Sequence, residues 1–280
     1  MSIELYNLPE PKIIVKRQIN DIVPNVRCYE IEKVATGETK IVPSVTTCID
    51  DGNTFGIDEW RNELGHQYAD FVTEFSQYLG DRYHRSLEWY FKGYLSPEEE
   101  ETHIARHCIK NIKQLIGAEL RVASWEYDFA GTLDLAYLNQ ESRLVMTDNK
   151  SHHRAYGKMD EDNDYDHSLD RSVQSSKLSK YRKQLAPYGV ALLETYGLSF
   201  THELSEVWLF NTNTFCMESI TVHGKSKRAT VEKSWLSFRK SQAKFFEWAE
   251  SEPQLAEALG LVEPESRLQL ESRDLSALPF

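Results

Sequence analysis

Apolar and β-branched residues cluster three times in the first 43 positions: Ile13-Ile14-Val15, then 26–31, then Ile41-Val42, with Ala35-Thr36-Gly37-Glu38 between the last two. Short β-branched runs bounded by turn residues predict an antiparallel hairpin over 11–43. Pro43-Ser44-Val45-Thr46-Thr47 follows, with hydroxyls that suit a helix cap or a phosphate. Between 58 and 91 the period lengthens. Trp60, Leu64, Tyr68, Phe71, Val72, Phe75, Leu79, Tyr83, Leu87 and Tyr90 recur at helical spacing, which predicts two helices or one bent at Gly80. Ser96-Pro97-Glu98-Glu99 has the cap, first-turn proline and acidic first turn of a further helix, running to about Ile116 and stopping at Gly117.

Strand-like patterns return over 119–125, 127–138 and 143–150, the last two joined through Asn139-Gln140-Glu141-Ser142 as a hairpin. From 152 to 176 the chain is polar and acidic with almost no large aliphatics, predicting a long mobile loop. A helix is expected from about 179 to 196. Pro187 either sits in its first turn, if the helix starts near Gln184, or kinks it. Strands over 206–210 and 215–222 lead into an amphipathic helix over 229–249, and the acidic last thirty residues read as an independent tail.

A chain of 280 residues with 40% hydrophobic and 11% aromatic residues is long enough for a sizeable core. The organisation expected is an N-terminal hairpin appendage over 1–57, one domain over 58–250 carrying the acidic insertion at 152–176, and a tail over 251–280. No apolar run approaches the roughly 18 residues that span a bilayer. The first residues have neither the character of a signal peptide nor that of a transit peptide, so a cytoplasmic location is expected. Cys28, Cys48, Cys108 and Cys216 contain no Cys-x-x-Cys pair, which predicts free thiols and argues against a disulfide framework or a zinc ribbon. The net charge of -12 disfavours a protein that coats nucleic acid. Locally the balance reverses: Lys225, Lys227, Arg228, Lys233, Arg239, Lys240 and Lys244 form a basic stripe with Glu232 as its one acid.

Chemistry concentrates between Gly131 and Lys150. Alternation along a strand puts Asp148 and Lys150 on one face and Asn149 on the other, and Asp134 on the partner strand reaches the same place. Two carboxylates beside an ammonium suit a hard divalent cation with a positive charge next to a phosphate or water. An acid-x-lysine triplet alone arises about once by chance in a chain of this size. Glu38-Thr39-Lys40 is such a decoy, since no Gly-x-x-Asp strand precedes it. His84 and Glu88, four apart, share a helical face, and a neutral imidazole binds metals. Glu119 and Glu126 are possible further ligands. The aspartates from Asp160 onward do not make a calcium loop, because its sixth position is Tyr165 and its twelfth is Arg171.

In order, the helix with His84, the strand with Glu119, Gly131-x-x-Asp134, Asp148-x-Lys150 and Gln184-x-x-x-Tyr188 resemble the PD-(D/E)XK nuclease superfamily. The nearest branch is that of RecB-like exonucleases, which includes phage and mitochondrial genome maintenance exonucleases. Tyr29-Glu30-Ile31, Pro43-Ser44-Val45-Thr46 and Gly80-Asp81-Arg82-Tyr83-His84 add to the likeness, which covers roughly 28–250. It implies an α/β fold of mixed α+β type, with a central mixed sheet flanked by helices and a restriction-endonuclease-like αβββαβ core. It also implies that His84, Asp134, Asp148 and the carbonyl of Asn149, with Glu119 as a further candidate, hold one or two Mg2+ or Mn2+ ions. Lys150 would orient and help deprotonate the attacking water. Gln184 and Tyr188, with Lys180, Arg182 and Lys183, would bind the substrate strand.

The chain departs from that pattern in the 25 or so residues after Lys150 and in Pro187, and it has no iron-sulfur cysteine cluster. The activity implied is a Mg2+-dependent deoxyribonuclease, an exonuclease on single-stranded DNA ends in replication, recombination or repair, partnered by proteins of those processes. The alternatives are an endonuclease on the same fold and a catalytically silent nucleic-acid-binding module.

Overall fold

A six-stranded sheet carries the molecule, in the order β1-β5-β6-β7-β10-β11. The computed structural model describes residues 3–49, 57–94, 109–152, 158–159, 165–166, 171–198, 204–211, 216–223 and 228–261. The strands are β1 (Glu4–Leu5), β2 (Ile13–Ile19), β3 (Cys28–Lys33), β4 (Glu38–Pro43), β5 (Ile112–Ser124), β6 (Phe129–Asn139), β7 (Leu144–His152), β8 (Lys158–Met159), β9 (Tyr165–Asp166), β10 (Leu204–Asn211) and β11 (Cys216–His223). The helices are α1 (Val45–Ile49), α2 (Ile57–Leu64), α3 (His66–Phe91), α4 (Arg171–Tyr196), α5 (Arg228–Ala249) and α6 (Pro253–Ala258). Strands β5, β6 and β7 form an antiparallel meander, β1 joins β5 in parallel, and β10 joins the far edge of β7 in parallel after the crossover through α4. The central order is therefore α3-β5-β6-β7-α4-β10, a mixed α/β fold with a mixed sheet.

Helices cover both faces. Tyr83, Leu87 and Phe91 of α3 pack on Leu135, Tyr137 and Val145 on one side. Leu185, Tyr188 and Leu192 of α4, with Trp235 and Phe238 of α5, pack on Leu133, Ala136 and Met146 on the other. Pro187 lies well inside α4, so neither a start at 179 nor one near Gln184 holds. An interior proline costs about 3 kcal/mol through the lost hydrogen bond and the clash of its ring with the preceding turn, but residues 184–192 are all buried, and each large side chain returns roughly 1.5–3 kcal/mol.

Three further expectations are corrected. Residues 112–117 form the start of β5 rather than a helix end. Ile112, Leu115 and Ile116 fit either period, and pairing with β6 decided the outcome. The part of that expected helix over 95–108 lies outside the described residues. The helical break before α3 is at Gly65, whose φ is 81°, and Gly80 sits within α3. The expected loop over 152–176 is shortened at both ends, since β7 runs to His152, α4 begins at Arg171, and β8 pairs with β9 between them.

The N-terminal hairpin has a third strand and is a meander, β2-β3-β4. Its apolar face joins Ala123 and Ala130 of the main sheet in one cluster. Lys40 ties it down by pairing with Asp128, donating to the Trp125 carbonyl at 2.5 Å and lying 4.3 Å from the Trp125 ring centroid. The decoy lysine of Glu38-Thr39-Lys40 is thus a structural clamp. Ser44 caps α1, its Oγ accepting from the Thr47 N–H at 2.9 Å. Beyond 250 the chain is not independent at once: Leu255 and Ala256 of α6 are buried in the main core, while 262–280 lie outside the described residues. Trp235 is fully buried, with ring centroids 5.0 Å from Tyr127 and 5.7 Å from Phe238. Trp235→Ala is expected to cost about 3–5 kcal/mol in urea unfolding; a loss under about 1 kcal/mol would mean that α5 is not part of the core.

Candidate metal centre

Strands β6 and β7 pair from Leu138↔Leu144 to Leu135↔Thr147 and then separate. Continuing that register sets Asp134 opposite Asp148, immediately past the last pair. On the other side of β6, Ala118↔Leu135 and Leu120↔Leu133 bracket Glu119 opposite Asp134. Three neighbouring strands therefore place an acid in one row. Directly opposed like charges destabilise a sheet, and two local distortions relieve the row. The β6–β7 fork is one. The other is the backbone of Glu119, held at φ 50°, a left-handed conformation that costs a non-glycine residue roughly 1–3 kcal/mol.

Donors enter from both faces. From α3, His84 Nδ1 lies 3.6 Å from Asp134 Oδ2 and 3.9 Å from Glu119 Oε1. One ligand atom from each of these three residues falls within 4.8 Å of the others. The Asn149 N–H crosses the fork to Asp134 Oδ2 at 2.6 Å. From α4, Gln184 Nε2 donates to Asp148 Oδ1 at 2.9 Å, and Lys150 Nζ donates to the same oxygen at 2.9 Å. Asp148 Oδ2 lies 2.8 Å from the ammonium but makes no aligned hydrogen bond, leaving a buried carboxylate oxygen with bonding capacity to spare.

Burial raises the pKa of Asp134 above the usual carboxylate range, against the nearby His84 and Lys150 cations. It pushes Asp148 up to about 6, opposed by Lys150 and reinforced by the charge of Asp134. Burial lowers the pKa of His84, but the carboxylates of Glu119 and Asp134 outweigh it, so His84 titrates above the ordinary histidine value. Buried acids that resist ionisation, an imidazole among them and a spare carboxylate oxygen fit a hard divalent cation such as Mg2+ or Mn2+. His84, Glu119 and Asp134 would be its first ligands, with Asp148 beside them.

The residues that the resemblance puts at the metal, His84, Glu119, Asp134, Asp148 and Asn149, all lie near this row, with Lys150 beside Asp148. For Asn149 the contact seen is its N–H on Asp134, where the sequence pointed to its carbonyl. Gln184 and Tyr188 are buried; Gln184 holds Asp148, and Tyr188 covers β6. A Cβ on Gly131 would stand 2.7 Å from Tyr188 Cε1, which explains a glycine three residues before Asp134. Glu88 pairs with Lys92 instead of joining His84. Glu126 lies in the β5–β6 turn, seven residues and roughly 20 Å along the strand from Glu119.

Lys180 is exposed and Arg182 half-buried, while Lys183 donates to Ser241 Oγ at 3.0 Å. The basic stripe is divided: Lys233, Lys240 and Lys244 face solvent, but Arg239 turns inward over Tyr127, 5.2 Å from its ring centroid. Lys225, Lys227 and the side chain of Arg228 lie outside the described residues. Tyr68, Phe71 and Phe75, which sequence spacing placed in a helix, are with Tyr78 49–59% exposed. Their rings run along α3 in succession, Phe71 and Phe75 nearly parallel at 8° and 6.1 Å apart. An all-aromatic stripe with no Leu or Ile was the available signal. The chain matches no protein-family model and no curated protein. Among the described residues, no helix is long and apolar enough to cross a membrane.

A bound metal would have to displace protons from His84 and Asp148. Apparent Mn2+ affinity in calorimetry is therefore expected to rise about tenfold or more from pH 5.5 to pH 7.5; equal affinity at both would exclude these ligands. Stability has the opposite sign without metal. Both pKa values are higher folded than unfolded, so protonation favours the folded state: the metal-free protein loses stability from Asp148 as pH rises through about 6, and from His84 as pH rises further, past the ordinary histidine value. Its Tm should fall from pH 5.5 to 7.5 more than that of Asp148→Asn, and added Mn2+ should remove the difference. Gly131→Ala is expected to displace Tyr188 and lower both Tm and metal affinity, read by thermal melts with and without Mn2+.

Proposed function

We propose that this chain is a metal-dependent deoxyribonuclease that hydrolyses phosphodiester bonds, acting as an exonuclease on single-stranded ends. The observation that carries the reading is the row Glu119, Asp134, Asp148 at a strand fork, with His84 on one side and Lys150 bonded to Asp148. The order α3-β5-β6-β7-α4-β10 around that row agrees with the αβββαβ core that the motifs resemble.

A bound divalent cation would neutralise charge on a phosphate and lower the pKa of a nearby water. The protein supplies the remainder. His84, Glu119 and Asp134 would hold the ion. Asp148 keeps Lys150 Nζ at the rim of the same row, and Lys150 is 31% exposed, so its ammonium can meet a phosphate oxygen or orient an attacking water. Gln184 prevents Asp148 from rotating away. The exposed rings of Tyr68, Phe71, Phe75 and Tyr78 lie on the helix that carries His84, and a row of aromatic faces favours unpaired bases.

End-labelled single strands with Mg2+ are expected to shorten from the ends, while closed circular single strands stay intact. Cutting of circles would make the enzyme an endonuclease, and metal binding without any cleavage would leave a binding module. Lys150→Ala should lower the rate about 10²–10⁴-fold with little change in metal affinity, whereas Asp134→Ala should abolish both. Full activity in either variant would overturn the site.

A further inference from the structure

A cleft of about 590 Å³ lies between α1, α4 and α5, lined by none of the residues of the candidate metal centre. Four residues of α5, Ser241, Lys244, Phe245 and Trp248, form one wall at the spacing of a single helical face. The turn Pro24-Asn25-Val26, with Thr47 and Cys48 of α1, forms the facing wall, and Lys183 of α4 closes the end. Lys183 directly precedes Gln184, so this cleft and the grip on Asp148 are one residue apart along the same helix.

Its chemistry is specific. Among the described residues, two ammonium groups line the cleft, no carboxylate does, and neither lysine has an acidic partner. On a chain of net charge -12 such an uncompensated pair is a local exception that draws anions in. The Ser241 hydroxyl, already bound to Lys183 Nζ at 3.0 Å, fixes one ammonium in position. Beside the cations, the Trp248 indole is 42% exposed, backed by the nearly buried Phe245 with ring centroids 5.7 Å apart. A propped, open aromatic face next to two cations binds a planar ring carrying a phosphate. A simple anion would not need the indole, and an apolar ligand would not need the lysines.

We infer that this cleft is a nucleotide subsite, with a base stacked on Trp248 and its phosphate between Lys183 and Lys244. This inference rests on the nuclease reading, because it gives the substrate strand a second hold away from the metal. The shared ligand chemistry has two sources, a nucleotide within the bound strand or a released mononucleotide.

The test uses the full chain in EDTA, so that no strand is cut, with labelled oligothymidylate and dTMP as probes. Quenching of tryptophan fluorescence by the strand alone marks a nucleotide within the strand; quenching also by dTMP marks a site for the mononucleotide. In either case Trp248→Ala should remove the quench and weaken strand binding about tenfold. Lys183→Gln with Lys244→Ala should reduce the slope of log affinity against log salt by about 0.7 for each lost contact. Lys244→Ala alone, at an exposed helix position, serves if the double variant melts early. Quench, affinity and slope all within twofold of the parent chain overturn the subsite. Mg2+-dependent digestion by the parent chain is measured alongside. Digestion with unaltered variants removes the subsite and leaves the nuclease; lost binding without digestion keeps the subsite and removes the nuclease.

Discussion

The end of pairing between β6 and β7 after Leu135↔Thr147 is the constraint on which the site depends. One more rung would press Asp134 against Asp148 across adjacent strands. By opening there, the sheet exposes the Asn149 N–H, which Asp134 accepts, and admits side chains from helices on opposite faces. His84 arrives from α3 and Gln184 from α4, although the sheet separates those helices over most of its area. Parallel pairing of β7 with β10 across Asp148 and Lys150 keeps the opened strand straight. A sheet paired on only one edge would let the fork collapse or fray.

Much of this was legible in the sequence, for definite reasons. Asp134, Asp148 and Lys150 sit on strands with clear alternation and a short polar turn, so their faces followed from period two alone. His84 required the order of elements as well, since a helix pattern says nothing about what the helix lies against. What escaped is what depends on register and backbone conformation. The in-row position of Glu119 follows from two register shifts in β5, near Ile112 and Gly117, which no local pattern encodes. Gln184 was read as a substrate contact from the motif resemblance, and its hydrogen bond to Asp148, 36 residues away, became visible only in the fold. The helical reading of 112–117 failed because a short apolar run suits both periods until its neighbour is known. Pro187 was expected in a first turn or at a kink, and it lies well inside α4, where residues 184–192 are all buried.

The electrostatics give the site a direction. Burial works against ionised Asp134 and Asp148, and the nearby cations compensate only in part. Removing acids would make the bare protein more comfortable, and a divalent ion does the same without removing them. A divalent ion bound there would complete the fold in the way a keystone completes an arch, with part of the folding free energy deferred until binding.

The left-handed backbone at Glu119 sets an unstrained chain against the acidic row at one residue. Glycine there would relax the chain and, in the same step, delete a carboxylate. Selection for heat resistance alone would therefore drift toward a sturdier protein with an impaired centre. Retention of glutamate at 119 in a stabilised lineage would record that the centre was still in use.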